Sequence, residues 1–167
     1  MDGPVMIKSR AWMKRAVAIS AMAMLALPGA ADAQKVKKVP YWASLSEAEA
    51  RMRVGPSFDY PSSWIYRRRD LPVKVVQTLS NWRKVEDSTG TQGWMHVRLL
   101  SDRATAIVIG AGADLRSAAN EGASLLFHAE PGVVGRTSDC GNGWCMFDVR
   151  GQRGYARVQE LWGATGN

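Results

Sequence analysis

Apolar and charged residues alternate along two stretches of the chain, residues 82–100 and residues 144–162. Alternation of this kind is the period of a strand with one buried face, because successive side chains point to opposite sides of a sheet. In the first stretch a polar turn at residues 87–90 separates the two alternating segments. The pattern therefore predicts a β-hairpin, and its return predicts a second one.

The two hairpins belong to a longer repeat of about sixty residues. Trp82 corresponds to Trp144, and Gly93 in the first hairpin corresponds to Gly154 in the second, at nearly the same spacing. Self-similarity at a fixed period indicates a chain built from repeated units. Short strand candidates between Gly- and Pro-rich turns fill the rest of each copy. The sequence therefore predicts an all-β fold, either a small barrel or a sandwich.

The most apolar strand candidate stands between the two copies, at residues 104–109. A copy of about sixty residues is marginal for independent stability, because so short a chain buries a small core. We therefore expect the two copies to pack together, with residues 104–109 as the contact. Residues 64–69, WIYRRR, are a further strand candidate.

Residues 1–33 have the pattern of a secretory signal. A basic segment precedes an apolar run of twelve residues at 16–27, in which Ser20 is the one polar residue, and a small-x-small motif ends at Ala33. Twelve residues are too few for a membrane-spanning helix, which needs about 20. We predict cleavage after Ala33, a flexible basic arm at residues 34–42, and a periplasmic or secreted protein without a stable membrane anchor.

The formal net charge is positive and therefore favours anionic partners. It is +7 for the whole chain and +5 without the segment 1–33, which carries four basic and two acidic side chains. An exported basic protein meets anionic cell-wall polymers or lipid head groups before nucleic acid. The competing interpretation, which we favour for the charge, is a role in solubility alone. No nucleic-acid partner is predicted.

The two cysteines, Cys140 and Cys145, flank a Gly-Asn-Gly turn. An even number of cysteines in an oxidising compartment favours a disulfide, and a tight turn brings facing positions together. His96 and His128 lack the spacing of a zinc site. The sequence therefore predicts one disulfide, no metal and no cofactor.

The order of short motifs in both copies is similar to that of a known family. The first copy has MRVGPS at 52–57, YP at 60–61, WIYRRRDLPVKV at 64–75 and GW at 93–94. The second copy has LR at 115–116, EPGVVGR at 130–136, CGNGWCMFDV at 140–149 and RGYAR at 153–157. Together they resemble the bacterial SH3-like domains (SH3b type) of exported tandem-repeat proteins, in particular those of alphaproteobacterial type.

The resemblance implies two tandem SH3-like barrels packed together. We place repeat 1 at residues 43–103, repeat 2 at residues 104–163 and a tail at residues 164–167. It also implies a non-enzymatic binding or structural module of the cell envelope, because related modules bind peptidoglycan peptides or proteins beside a hydrolase. The alternatives are an accessory subunit that docks on an envelope protein or hydrolase, and an enzyme with an unrecognised site.

Catalytic motifs give no support to the enzyme alternative. The family has no catalytic residues to transfer, and the chain has no GxSxG, P-loop or HExxH motif. A thiol hydrolase needs a reactive thiolate beside a base, whereas here a disulfide competes for both thiols. No catalytic residue is predicted.

A ligand groove is predicted on repeat 1, which keeps motifs that repeat 2 has lost. Its candidate residues are Tyr60, Trp64, Arg67, Arg69 and Trp94. An aromatic floor with guanidinium groups at its rim fits a peptide that carries carboxylates, such as a peptidoglycan stem. The competing interpretation is that the aromatic rings form the barrel core and the arginines solvate the end of a strand.

Overall fold

The structure, a computed structural model, describes Gly3 and residues 37–165. The predicted signal, its cleavage site after Ala33 and the start of the arm at residue 34 lie outside the described residues. Within the described part of the chain, no helix is long and apolar enough to cross a membrane.

Repeat 1 is a seven-stranded antiparallel sheet that curls around its own core. Its strands are β1 (Tyr41–Leu45), β2 (Ala50–Arg53), β3 (Ser62–Tyr66), β4 (Pro72–Leu79), β5 (Trp82–Glu86), β6 (Gln92–His96) and β7 (Leu100–Ser101), with a 3₁₀ turn at Val97–Leu99. The order across the sheet is β3-β2-β6-β5-β4-β1-β7.

Repeat 2 is a second seven-stranded sheet with the same plan. Its strands are β8 (Thr105–Val108), β9 (Ala113–Arg116), β10 (Leu125–Ala129), β11 (Val134–Gly141), β12 (Trp144–Val149), β13 (Gln152–Arg157) and β14 (Leu161–Trp162), with a 3₁₀ turn at Val158–Glu160. The order is β10-β9-β13-β12-β11-β8-β14. Each strand is the counterpart of the strand at the same place in the sheet of repeat 1. The predictions of an all-β fold and of two copies are confirmed.

Each sheet buries one side of its strands. In β5 the side chain of Val85 is buried, while its neighbours Lys84 and Glu86 lie on the outer face. The core of repeat 1 includes Leu45, Met52, Val75, Val85 and Met95. The core of repeat 2 includes Val108, Leu115, Cys145, Phe147 and Leu161. The alternation in the sequence therefore identified the inward face.

Strand β1 begins two residues before the predicted start of repeat 1. Tyr41 and Trp42, the last two residues of the predicted arm, pair with Val75 and Lys74 of β4. An extended segment with two aromatic side chains gains backbone hydrogen bonds and apolar contacts by joining the sheet edge.

The prediction that residues 104–109 form the contact between the repeats is only partly right, because the apolar side chains of β8 point to both faces of the strand. Ala106 and Val108 of β8 point into the core of repeat 2 and are fully buried. Ile107 points the other way and faces Leu71 and Pro72 of repeat 1. A strand has two faces, and in β8 one of them fills its own barrel.

The two repeats belong to one compact unit of the chain and touch along β1, β4, β8 and β14. The rings of Trp42 and Trp162 meet edge to face, with their centroids 4.6 Å apart. Arg68 Nη1 donates a hydrogen bond of 2.8 Å to the carbonyl of Gly132. An aromatic contact and a charged hydrogen bond thus hold the repeats together, as expected from their small individual cores.

Gly163 allows a close approach between the repeats. A Cβ atom at this position would lie 2.7 Å from Pro72 Cβ and 2.7 Å from the carbonyl oxygen of Thr105. Its φ of +107° is also a conformation that a side chain disfavours. A larger residue here would push repeat 1 away from repeat 2.

The glycine that repeats at positions 93 and 154 is explained by a close crossing of strands. A Cβ on Gly154 would lie 2.8 Å from Leu115 Cβ and 3.2 Å from the carbonyl oxygen of Arg116.

We therefore expect Gly154→Ala to lower the free energy of unfolding by about 1–3 kcal/mol, the usual cost of overpacking a core. Urea unfolding measures it, with Gly122→Ala as a control, because a Cβ there would meet only Asn120 Oδ1, at 3.6 Å, and its φ lies outside the left-handed region. An unchanged stability in Gly154→Ala would contradict the close crossing.

Candidate functional site

The outer face of repeat 1 carries aromatic and basic side chains from three neighbouring strands. On β2 the side chain of Met52 points into the core, so Arg53 points outward. Arg53 is the cross-strand partner of Trp94 on β6. Trp82 on β5 is the partner of His96 on β6. Because cross-strand partners share a face, these four side chains lie on the outer surface.

The loop between β2 and β3 folds Phe58 over this surface. The Phe58 ring stacks on His96 with a centroid distance of 5.3 Å and meets the edge of Trp82 at 4.9 Å. Phe58 remains 52% exposed, whereas Trp82 is 9% exposed. Trp82 is therefore the floor of an aromatic cluster, and Phe58 is its accessible part.

Arginines surround the cluster. The guanidinium carbons of Arg53 and Arg98 lie 5.7 Å and 5.2 Å from the centre of the Phe58 ring, within the range of cation–π attraction. Arg53 also donates to the carbonyl of Tyr60, which fixes the start of β3 against β2. Arg51 stands beside them and pairs with Glu49 at 3.3 Å.

We call this surface the aromatic groove, a depression of about 200 Å³. Its lining residues are Glu49, Arg51, Arg53, Phe58, Trp82, His96, Arg98 and Leu99. Three guanidinium groups and one carboxylate give it a net positive charge. It combines flat apolar faces with donors suited to carboxylates or phosphates.

Repeat 2 closes the equivalent position with an ion pair. Glu121 stands six residues after Leu115, as Phe58 stands six residues after Met52. Glu121 pairs with Arg157, which takes the place of His96 as the cross-strand partner of Trp144. Repeat 2 therefore has the same frame without an exposed aromatic ring at this point.

The five residues predicted for the groove do not form one surface. Trp94 lies half-buried on the outer face beside the aromatic groove, and the carbonyl of Tyr60 contacts Arg53. Trp64 lies on the opposite face, because its cross-strand partner is the buried Met52.

The predicted strand at residues 64–69 ends early, at Tyr66. Arg67 and Arg69 follow in an exposed connection, and Asp70 turns the chain with a φ of 64°. Arg69 pairs loosely with Glu47, at 3.6 Å. The two arginines therefore cannot form the rim of a groove built on the outer face of β2, β5 and β6.

Sequence reasoning missed Phe58, His96 and Arg98, which make the groove. Phe58 is a lone aromatic residue within the polar loop GPSFDYPSS. An aromatic ring gains a large buried area when it packs on a neighbour or a partner, and this was the available signal. His96 follows the predicted alternation from Trp94 and therefore shares its face.

Trp64 instead lines a second pocket of about 310 Å³ between the repeats, with Tyr66, Pro72, Asp87 and Ile107. Tyr66 donates to Asp87 Oδ2 at 2.7 Å. Burial and this hydrogen bond raise the pKa of Tyr66. Burial on its own raises the pKa of Asp87, but hydrogen bonds from Tyr66 and the β5–β6 turn outweigh it and lower that pKa.

Asp87 therefore organises the turn between β5 and β6. Its Oδ1 accepts from the backbone N–H groups of Thr89 at 2.9 Å and Thr91 at 3.0 Å. The carboxylate of Asp87 therefore makes its hydrogen bonds within the protein. This leaves the second pocket with fewer free polar groups than the aromatic groove.

Cys140 and Cys145 form a disulfide, as predicted. They flank the turn at Asn142 and Gly143, where both residues have positive φ. Cys145 is fully buried in the core of repeat 2, so the bond ties the β11–β12 hairpin to that core. With both cysteines of the chain bonded, the thiol-hydrolase interpretation has no free thiol.

Reduction of this disulfide is expected to destabilise repeat 2 by about 2 kcal/mol, the value of the chain-entropy model for so short a loop. The two residues are 5 positions apart. Urea unfolding with and without dithiothreitol measures the change, and the double variant Cys140→Ala with Cys145→Ala serves as a control that reductant should not affect. A wild-type midpoint that reductant leaves in place would contradict the expectation.

The two histidines lie in different repeats and have different hydrogen-bond partners. His96 Nδ1 accepts from the backbone of Arg98, at 3.3 Å. His128 Nδ1 lies 2.8 Å from Asp114 Oδ1, a hydrogen bond that raises the pKa of His128. Within residues 37–165, no three His, Cys, Asp or Glu side chains come close enough to hold a metal ion.

Comparison with known families gives two matches along the chain. The bacterial SH3 domain family matches residues 46–102 and again residues 110–163. Each matched segment covers one sheet except its first strand, since β1 precedes the first segment and β8 precedes the second. A comparison with curated proteins found no match.

Several solved structures are similar to the chain. NlpC2 and NlpC1 from Trichomonas vaginalis share 13% and 14% identity, over 76% and 75% of this chain and 49% and 46% of theirs, both with a TM-score of 0.34. An NlpC/P60 family protein from Bacillus cereus shares 12% identity, over 73% of this chain and 56% of that one, also with a TM-score of 0.34. The chain thus spans about half the length of these proteins.

Proposed function

Because the chain belongs to the bacterial SH3 domain family in both repeats, we propose that it is a non-enzymatic binding module of the bacterial cell envelope. The disulfide fits an oxidising compartment outside the cytoplasm. The amino-terminal signal pattern supports a periplasmic or secreted location. The ligand of this proposal is a peptide that carries carboxylates, of the kind found in peptidoglycan stems.

The observation that carries the proposal is the exposed Phe58 ring, fixed on Trp82 and His96 and flanked by Arg53 and Arg98. Aromatic and arginine side chains carry much of the energy of binding surfaces. A ring that is already held in place loses little conformational entropy when a ligand binds.

The chemistry of the groove selects the ligand. An apolar side chain or a sugar face can stack on Phe58, while Arg98 and Arg51 offer paired N–H donors to a carboxylate beside it. The net positive charge of the groove draws in anionic ligands. A peptide with several carboxylates and small apolar side chains matches both features.

Edge strands favour a second candidate, docking on an envelope protein. Strand β3 exposes Trp64 and Ile65, and strand β10 exposes Leu125 and Leu126. Both strands lie at the end of their sheets, where unpaired backbone groups can accept another strand. This candidate uses other residues than the aromatic groove, so variants separate the two.

Incubation of the processed protein with isolated sacculi tests the proposed function. We expect the protein to sediment with the sacculi and to release no soluble wall fragments. Release of fragments would overturn the non-enzymatic role. A protein that stays in the supernatant would overturn recognition of the wall, and capture of an envelope protein through β3 or β10 would then favour docking.

A further inference from the structure

Arginines from both repeats converge on a cleft at the junction between them. The cleft has a volume of about 600 Å³. Its five arginines are Arg68, Arg69, Arg136, Arg150 and Arg153. Neither repeat forms it alone, because the connection after β3 supplies the first two and repeat 2 supplies the other three.

The acidic residues of the cleft are already engaged. Asp70 accepts from Arg103, at 2.7 Å. Asp148 accepts from Arg153 Nε at 2.8 Å and from the backbone of Gly151 at 2.7 Å. The lining keeps an excess of three positive charges, five arginines against two aspartates.

Two of the arginines have unused donors. Arg136 and Arg150 are exposed, and among the described residues neither side chain makes a hydrogen bond or an ion pair. Arg69 has only its loose pairing with Glu47 at 3.6 Å. The guanidinium groups of Arg136 and Arg150 can therefore receive a ligand without breaking a hydrogen bond or ion pair among the described residues.

The backbone at Arg150 is unfavourable for the residue it carries. Arg150 and Gly151 form the two-residue turn between β12 and β13, with φ values of 55° and 93°. The preceding hairpin uses Asn142 and Gly143 at similar angles, 51° and 82°. Asn and Gly suit such a turn, whereas arginine does not. Local folding therefore does not favour arginine at this position, which lies at the cleft.

We propose that this arginine cleft binds a ligand with two clustered phosphate groups. Guanidinium groups bind phosphate oxygens through paired N–H donors, and several arginines together suit a compact polyanion. A single phosphate group brings about −1.5 to −2 charge near neutral pH, so it leaves part of the excess uncompensated, whereas two phosphate groups neutralise it. The volume also exceeds what one phosphate group fills.

The ligand chemistry has two possible sources, a soluble diphosphate or the phosphate head groups of lipids. The arginine cleft and the aromatic groove have no lining residue in common. The proposal therefore stands apart from recognition of the wall.

A variant with a built-in control for folding tests the arginine cleft. Arg150→Asn removes the charge and places a favourable residue in the turn, and Arg136→Gln removes the second free guanidinium. We expect the double variant to keep or raise its unfolding midpoint while its affinity for pyrophosphate, measured by calorimetry, falls at least about tenfold. The charge-matched variant Lys38→Gln with Lys74→Gln, outside the cleft, should bind as the wild type does.

A second arm distinguishes the source of the phosphates. Phosphatidylcholine vesicles containing phosphatidic acid are sedimented with each protein. If the wild type binds pyrophosphate and the cleft variant does not, the ligand is a soluble diphosphate. If the wild type binds only the vesicles and the cleft variant does not, the ligand is a lipid. The proposal is overturned if the wild type binds neither probe. It is also overturned if the cleft variant loses no more binding, relative to the wild type, than the lysine variant does.

Discussion

Phe147→Ala is expected to lower the free energy of unfolding of repeat 2 by about 3–5 kcal/mol. Phe147 is fully buried and is the largest such side chain in the described part of the chain. Its ring packs among Leu115, Cys145 and Leu161. The substitution removes apolar contacts and leaves a cavity that a small barrel cannot refill.

The effect is large because domains of this size are only marginally stable, with about 5–15 kcal/mol in total. Urea unfolding followed by circular dichroism measures it. Leu126→Ala is the control, since Leu126 is 51% exposed and its loss should change stability by about 0.5 kcal/mol or less. Equal losses in the two variants would contradict the assignment of the core.

The strand pattern was predictable from sequence because side-chain alternation is local. The predicted hairpin is formed by β5 and β6, and Val85 points inward as the alternation requires. The match of Gly93 with Gly154 was also visible, because both meet the same close crossing of strands. The turn between Cys140 and Cys145 carried its own signal in Gly-Asn-Gly.

The aromatic groove was not predictable, because it depends on where a loop comes to rest. Alternation places Trp82 on the outer face, yet Trp82 is buried because Phe58 folds over it. Trp64 lies on the opposite face, beside the buried Met52, yet it stays exposed because β3 is at the edge of the sheet. Local periodicity cannot distinguish these two tryptophans.

The arginine cleft was beyond sequence reasoning for a related reason. Arg69 and Arg150 are distant in the chain and meet only because the two repeats pack in one orientation. That packing rests on contacts such as Trp42 with Trp162, which no repeat pattern specifies. The number of arginines in the sequence contributes to the net charge of the chain, but it does not show that five of them line one cleft.

Phe58→Ala combined with Arg98→Gln is expected to reduce retention on sacculi at least about tenfold. A minority of interface residues, mostly aromatic and arginine side chains, cost more than about 1 kcal/mol when truncated, and the account assigns Phe58 and Arg98 to that minority. A factor of ten corresponds to about 1.4 kcal/mol. The fold should survive, because Phe58 is half exposed and Arg98 lies on the surface.

A matched variant removes the same kinds of groups elsewhere. Leu126→Ala with Lys38→Gln takes away one exposed apolar side chain and one positive charge, outside the aromatic groove. Its retention should equal that of the wild type. Circular dichroism and the thermal midpoint confirm that both variants are folded before binding is compared.

The amount of protein that sediments with a series of sacculus concentrations tests the central claim most directly. The account predicts saturable retention for the wild type and for the Leu126–Lys38 variant, and retention at least about tenfold weaker for the Phe58–Arg98 variant. Equal retention of the wild type and a folded Phe58–Arg98 variant, or loss in the Leu126–Lys38 variant alone, would contradict it.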